Sequence, residues 1–177
     1  MGIRRVVTGH NDEGVSVFVR DEVVESDHFD LLAGWQFYDI WSGDRIPTFP
    51  DRGDMPSSMS YFPPVGGFRF SFSVVPPQDT PVVEGLDQEK ALAEVDAVMP
   101  GMMALIEPDG MHTTDTIDFE VIISGKVYLE LTDGSSVLLK QGDTVVQNGT
   151  RHVWRNPGPE PCLMAVFMNG AERRTAT

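Results

Sequence analysis

Six turn signals break the C-terminal part of the chain into short pieces: Pro108-Asp109-Gly110, Ser124-Gly125, Asp133-Gly134, Gln141-Gly142, Asn148-Gly149 and Asn156-Pro157-Gly158. Glycine accepts the positive φ of tight turns, and Pro, Asp and Asn favour turn starts, so each signal has a local physical cause. The pieces between them are short for helices and rich in β-branched residues. Their pattern predicts strands over residues 102–106, 117–124, 126–132, 136–140, 143–147, 152–155 and 162–168. Many short strands at close spacing form a sandwich or a jelly-roll barrel, and the fold class is all-β.

The first hundred residues add strands, a loop and one helix. Residues 4–8 and 15–20 read as strands around a polar Asn11-Asp12-Glu13-Gly14 turn, and residues 35–41 alternate as a half-buried strand does. Residues 42–67 turn to Pro, Gly, Asp, Ser and Met, the composition of a long loop, a kind of segment that in compact domains is often a lid or an interface arm. Residues 68–75 alternate strictly, and the aromatic face Phe68, Phe70 and Phe72 needs something apolar to cover. Residues 87–98 read as a helix through Leu92, Val95 and Val98, or else as an acidic loop. The expected organisation is one domain: residues 1–100 as N-terminal strands, loop and short helix packing on a barrel core of residues 101–170.

Charge excludes some partners. The 177 residues carry a formal net charge of -14, with 13 basic residues against 27 acidic ones. A surface that tracks phosphates needs clustered Lys and Arg, so neither nucleic acid nor an anionic membrane is expected. At 41% hydrophobic the chain can bury a sizeable core without disulfides, and its one cysteine, Cys162, sits among Leu163, Ala165 and Phe167 as a core thiol. No signal-peptide pattern and no apolar run of about 20 residues is present, so the expected address is cytoplasmic and the Asn148-Gly149-Thr150 sequon is unused.

Chemistry enters at residues 117–122. Alternation puts Ile117, Phe119 and Val121 on one face and Asp118, Glu120 and Ile122 on the other. An ordinary half-exposed strand would give those carboxylates to water. Two histidines change that reading. His112 precedes Asp118 by six residues, Thr114 lies between them, and Gly125 follows; His152 then comes after Gly142-Asp143, Gln147 and Gly149, with Asn156 closing the run. In order and spacing this resembles the paired motifs of the cupin superfamily, over residues 102–169. Thr114 stands where the second histidine of the first motif would be, Asp118 replaces a glutamate, and Gln147 takes a proline place.

The resemblance implies a double-stranded β-helix barrel with an N-terminal strand extension and at most one or two short helices. It also implies a small-molecule pocket at the barrel mouth. The implied metal ligands are His112, Asp118 and His152, a reduced set for a divalent ion such as Fe, Mn, Ni or Zn. Glu120 and His152 are the catalytic candidates; Thr114, Trp154 and Gln147 are the substrate-binding ones. Each histidine has a duller alternative, His112 as a strand-start polar residue and His152 as a brace for its turn. Asn156 reads as structural, and Arg151 and Arg155 as surface residues. The expected activity is metal-assisted lyase, isomerase or dioxygenase chemistry on an oxygenated organic molecule; the alternative is metal-free binding or sensing without catalysis. The outer strip Ile117, Phe119 and Val121 requires a cover, either the N-terminal strands or a second copy, and the expected assembly is a homodimer.

Overall fold

The computed structural model describes residues 2–55 and 60–174. Among the described residues ten strands and one α-helix follow in the order β1 (Ile3–His10), β2 (Ser16–Val24), β3 (Gln36–Gly43), β4 (Phe68–Val75), α1 (Gln88–Val98), β5 (Thr116–Ser124), β6 (Lys126–Leu131), β7 (Ser136–Lys140), β8 (Thr144–Gln147), β9 (His152–Arg155) and β10 (Cys162–Gly170). They form a β1-β2 hairpin, a five-stranded sheet in the order β3-β4-β10-β5-β8, and a three-stranded sheet in the order β7-β6-β9. All named strand pairs are antiparallel. The fold is the all-β jelly roll that the turn spacing predicts, and the barrel draws two of its strands, β3 and β4, from the first hundred residues.

One core joins the two larger sheets. Val75 of β4, Ile122 of β5, Val127 of β6, Leu139 of β7, and Cys162 and Met164 of β10 are buried in a single cluster. Burial pushes the Cys162 thiol up to about 11, so it packs as an unreactive small hydrophobe. A second cluster of Phe37, Val95, Met99 and Met102 fixes α1 against β3. Asp87 caps α1, its carboxylate accepting from the Lys90 amide at 3.2 Å.

Two sequence expectations change here, and a third gains a direction. Residues 102–106 are not a strand but a 3-10 turn, Met103–Leu105. Gly101 at φ 81° stops α1, and the Met102 side chain joins the helix cluster instead of a sheet. The buried face of α1 is Ala91 and Val95, continued by Met99 at the same four-residue step, while Leu92 and Val98 are exposed. On β4 it is the polar side, Arg69, Ser71 and Ser73, that turns inward with Val75. The register sets Phe70 opposite Phe167 and Phe72 opposite Ala165, so the aromatic face lies outside and stacks on Phe167. Arg69 is tolerated inside because its guanidinium donates to the carbonyls of Ser60 (2.7 Å) and Gly43 (3.1 Å) and pairs with Asp44 at 2.6 Å.

Two motif glycines are required by space as well as by φ. A Cβ on Gly125 would lie 2.4 Å from the Pro161 carbonyl oxygen, and one on Gly149 would lie 2.8 Å from that of Thr114. Both residues hold positive φ, 79° and 58°. Gly149 thereby lets the turn before β9 close against the segment that carries Thr114.

Candidate active site at the barrel mouth

His112 and His152 exchange both backbone hydrogen bonds, His112 N–H to His152 O at 2.9 Å and His152 N–H to His112 O at 3.0 Å. Directly opposed antiparallel residues point their side chains to the same side, which brings the two imidazole centroids to 4.2 Å. Each Nδ1 faces a carbonyl, Thr150 O at 2.9 Å for His152 and Gly110 O at 3.3 Å for His112. A carbonyl only accepts, so Nδ1 carries the proton and Nε2 is left as a bare acceptor. Burial first and the neighbouring His112 second push His152 down to about 4 against the bond to Thr150 O; His112 is lowered too, chiefly by burial. Both rings are neutral near pH 7.

Asp118 and Glu120 project inward from β5, at 5% and 4% exposure. Asp118 Oδ1 and Glu120 Oε2 are buried without a hydrogen-bond partner. Burial raises Asp118 to about 6, opposed by the Thr116 hydroxyl, and raises Glu120 to about 8, with Asp118 adding to the shift. Thr114 is buried beside them and accepts from the Thr116 hydroxyl at 2.7 Å.

These groups line one cavity of about 430 Å³. His112, Thr114, Asp118, Glu120, His152 and Trp154 all reach it. Trp154 forms a wall edge-on to His152, with centroids at 6.1 Å. Gln147 does not line it. It lies opposite Asp118 in the sheet, accepts from the Thr150 hydroxyl at 2.7 Å and leaves Nε2 unpartnered. Asn156 is a strut, its amide donating to Val75 O (3.1 Å) and Glu160 O (2.9 Å). Arg151 is held on the surface by Glu107 at 2.6 Å, whereas Arg155 reaches the cavity rim while donating to Asp109 O at 3.1 Å.

The N-terminal half supplies walls that strand periodicity alone did not flag. Trp35 and Phe37 stack at 5.9 Å, and Tyr61 meets Phe37 edge-on at 6.4 Å. Tyr61 arrives from the loop of residues 42–67, part of which lies outside the described residues. Its backbone N–H is tied to Pro100 O at 2.8 Å, and burial raises its phenol, with the Asp118 charge adding to the shift. An isolated tyrosine in a polar loop carries no periodic signal; only the tertiary approach gives it a role.

The metal implied by the motif resemblance finds an incomplete donor set. His112 and His152 present paired Nε2 lone pairs, the arrangement two imidazole ligands need. Among the described residues, however, no group of three or more His, Cys, Asp or Glu side chains is arranged to hold a metal ion. The hydroxyl of Thr114 stands at the missing imidazole position, and the residues present do not fit the metal centre expected at His112, Asp118 and His152.

No protein-family model matches the chain. It is 44% identical over 57 residues to oryzines biosynthesis cluster protein J of Aspergillus oryzae, and 46% identical over 54 residues to phomopsin biosynthesis cluster protein C′ of Diaporthe leptostromiformis. Those matches span 32% and 29% of this chain and the same shares of the relatives' own lengths. A longer match, 26% identical over 160 residues, is to the cupin-domain-containing oxidoreductase virC of Hypocrea virens, covering 88% of this chain and 69% of that one. Among solved structures, the Cupin_2 domain of an XRE family transcriptional regulator from Enterobacter cloacae aligns at 15% identity and TM-score 0.37, over 59% of this chain and 83% of that one. A predicted oxalate decarboxylase from Thermotoga maritima aligns at 10% identity and TM-score 0.45, over 82% and 92%. At these scores neither structure bears on what this chain does. The jelly-roll topology, the two motif histidines bonded to each other at the barrel mouth, and the similarity to a cupin-domain protein over most of the chain all agree with the cupin resemblance read from the motifs.

Proposed function

We propose that this protein is a small-molecule enzyme that moves protons on an oxygenated organic substrate, as a lyase or isomerase does. The observation that carries the reading is the pair of inward carboxyls, Asp118 and Glu120, which line the cavity and each keep one buried oxygen without a protein partner. Two neighbouring acids whose environments separate their pKa values divide the work of acid and base. Near pH 7 Asp118, at about 6, is mostly ionised and accepts a proton from carbon or oxygen. Glu120, at about 8, is mostly protonated and donates to the oxygen where charge develops. The bare Nε2 atoms of His152 and His112 accept from a substrate hydroxyl, and Thr114 adds a hydroxyl contact. Trp154 orients the ring or chain of the substrate.

A panel of hydroxy-carbonyl compounds incubated in D2O and read by proton NMR tests this. Wild-type protein is expected to exchange or convert a member of the panel with a bell-shaped pH dependence between about 6 and 8. Glu120→Gln is expected to lose roughly 10²- to 10⁴-fold of that rate. Full activity in Glu120→Gln would sink the assignment. Tight ligand binding with no exchange or conversion in wild type would favour a metal-free binding module instead. Elemental analysis beside a His152→Ala variant tests the donor set: near-stoichiometric Fe, Mn, Ni or Zn that vanishes in the variant would restore metal-assisted chemistry.

The same reading includes a homodimer. Phe119, Val121, Val146 and Phe167 form an exposed apolar strip on the outer face of the five-stranded sheet, which the chain's own β1-β2 hairpin leaves open. The hairpin instead reaches β3 and residues 51–53, with Arg5 donating to Ile40 O and His10 N–H to Asp51 O. A second copy over this strip is the simplest cover. Light scattering at micromolar concentration is expected to give twice the chain mass, shifting to monomer in Phe119→Ser.

A further inference from the structure

Resting on the reading of this cavity as the substrate site, we infer that it selects uncharged, ring-bearing molecules with a hydroxyl or carbonyl group and rejects carboxylates of the same shape. Four observations converge on this. Its floor holds two carboxyls, Asp118 and Glu120, whose free oxygens have no cation beside them. Of the described residues lining the cavity, Arg155 alone carries a permanent positive charge, and it is engaged at the rim by Asp109 O at 3.1 Å and Glu130 at 3.9 Å. Arg69 lines only a neighbouring cavity of about 210 Å³ and is already saturated by carbonyls and Asp44. The two imidazoles turn acceptor lone pairs inward, so they offer an anion nothing.

An anionic head would therefore be brought beside like charge and acceptor atoms, with neutral donors such as the Thr114 hydroxyl but no free cation to replace its water. The whole-chain charge of -14 opposes its approach as well. A neutral hydroxyl meets the opposite situation: it donates to a carboxylate or an Nε2, and a carbonyl accepts from a hydroxyl such as that of Thr114. The remaining lining is aromatic and apolar, with Trp35, Phe37, Tyr61 and Trp154 presenting ring faces and edges. Such walls, around a volume of this size, suit a ring or fused-ring body.

The test is titration calorimetry at pH 7.5 with three probes of one skeleton: 2-naphthalenemethanol, 2-naphthamide and 2-naphthoate. The two neutral probes are expected to bind, with 2-naphthoate at least tenfold weaker. In the double variant Asp118→Asn, Glu120→Gln the gap is expected to close to within about threefold; where that variant fails a near-UV circular dichroism check, each single variant is expected to narrow the gap. Equal or tighter binding of 2-naphthoate to wild type overturns the inference. So does a gap that the variants leave unchanged, or a failure of both neutral probes to bind at millimolar concentration. Turnover is not the readout. Neutral preference without any proton exchange leaves the substrate class standing and sinks the catalytic reading, while Glu120-dependent exchange on a carboxylate does the reverse.

Discussion

Asp118, Glu120 and Ile122 occupy successive inward positions on β5, yet they belong to different worlds. Ile122 is 1% exposed and packed among Val75, Val127, Leu139 and Met164 where the two sheets meet. Glu120 and Asp118, one and two steps nearer the mouth, are nearly as inaccessible but border the cavity and lack partners for one oxygen each. Burial at one end of the strand removes water and replaces it with matched apolar contact. Burial at the other removes water and leaves polar atoms waiting. Low accessibility alone thus says little about whether a position stabilises the fold or holds back free energy for a ligand.

The contrast is broken most sharply at its apolar end. Ile122→Ala opens a cavity in the shared core and is expected to destabilise by about 2–5 kcal/mol, read as a lower urea midpoint. A loss below about 1 kcal/mol would mean that this end is as loosely filled as the mouth.

The polar end should behave in the opposite sense. Glu120 is raised from 4.5 to about 8 by burial first and Asp118 second. In that window the unfolded chain has released the proton that the folded chain keeps, so stability falls as pH rises. The contribution is fully present below about 4.5 and gone above about 8, amounting to a few kcal/mol in all. Glu120→Gln is expected to flatten this segment of the stability–pH curve and to raise the urea midpoint at pH 8. An unchanged slope in the variant would remove the buried-acid account of this end.

The smallest effect belongs to the hydroxyl pair between the two regimes. Thr114→Val deletes the acceptor of the 2.7 Å bond from Thr116 while keeping the shape of the side chain. It is expected to cost about 1 kcal/mol and to weaken binding of a hydroxylated ligand more than of its methyl counterpart. Equal loss for both ligands would assign Thr114 to structure alone.

Much of this was legible from residue order. The turn signals at Gly125, Gly134, Gly142 and Gly149 all have positive φ in the fold, and the strands between them lie within a few residues of their predicted bounds. The alternation of residues 117–122 placed Asp118 and Glu120 on one face, and that face is the buried one. Alternation held on β4, but period two identifies two faces without saying which one meets the core, and there the aromatic residues lie outside against Phe167. Helical spacing was less exact on α1, where Ala91 is buried with Val95 while Leu92 and Val98 are exposed.

The sequence by itself determined where the chain turns, which residues share a face, and that two histidines recur at motif spacing. These are local matters of φ, side-chain period and turn chemistry, written within a few residues of each position. The tertiary structure decided which face is inside, that His112 and His152 meet through their backbones, and that Tyr61 and Trp35 wall a cavity floored by β5. It also decided that the acids and the imidazole pair line one cavity, although among the described residues no three His, Cys, Asp or Glu side chains are grouped to hold a metal ion. Each of these depends on contacts between residues far apart in the chain, which packing selects and no local pattern encodes.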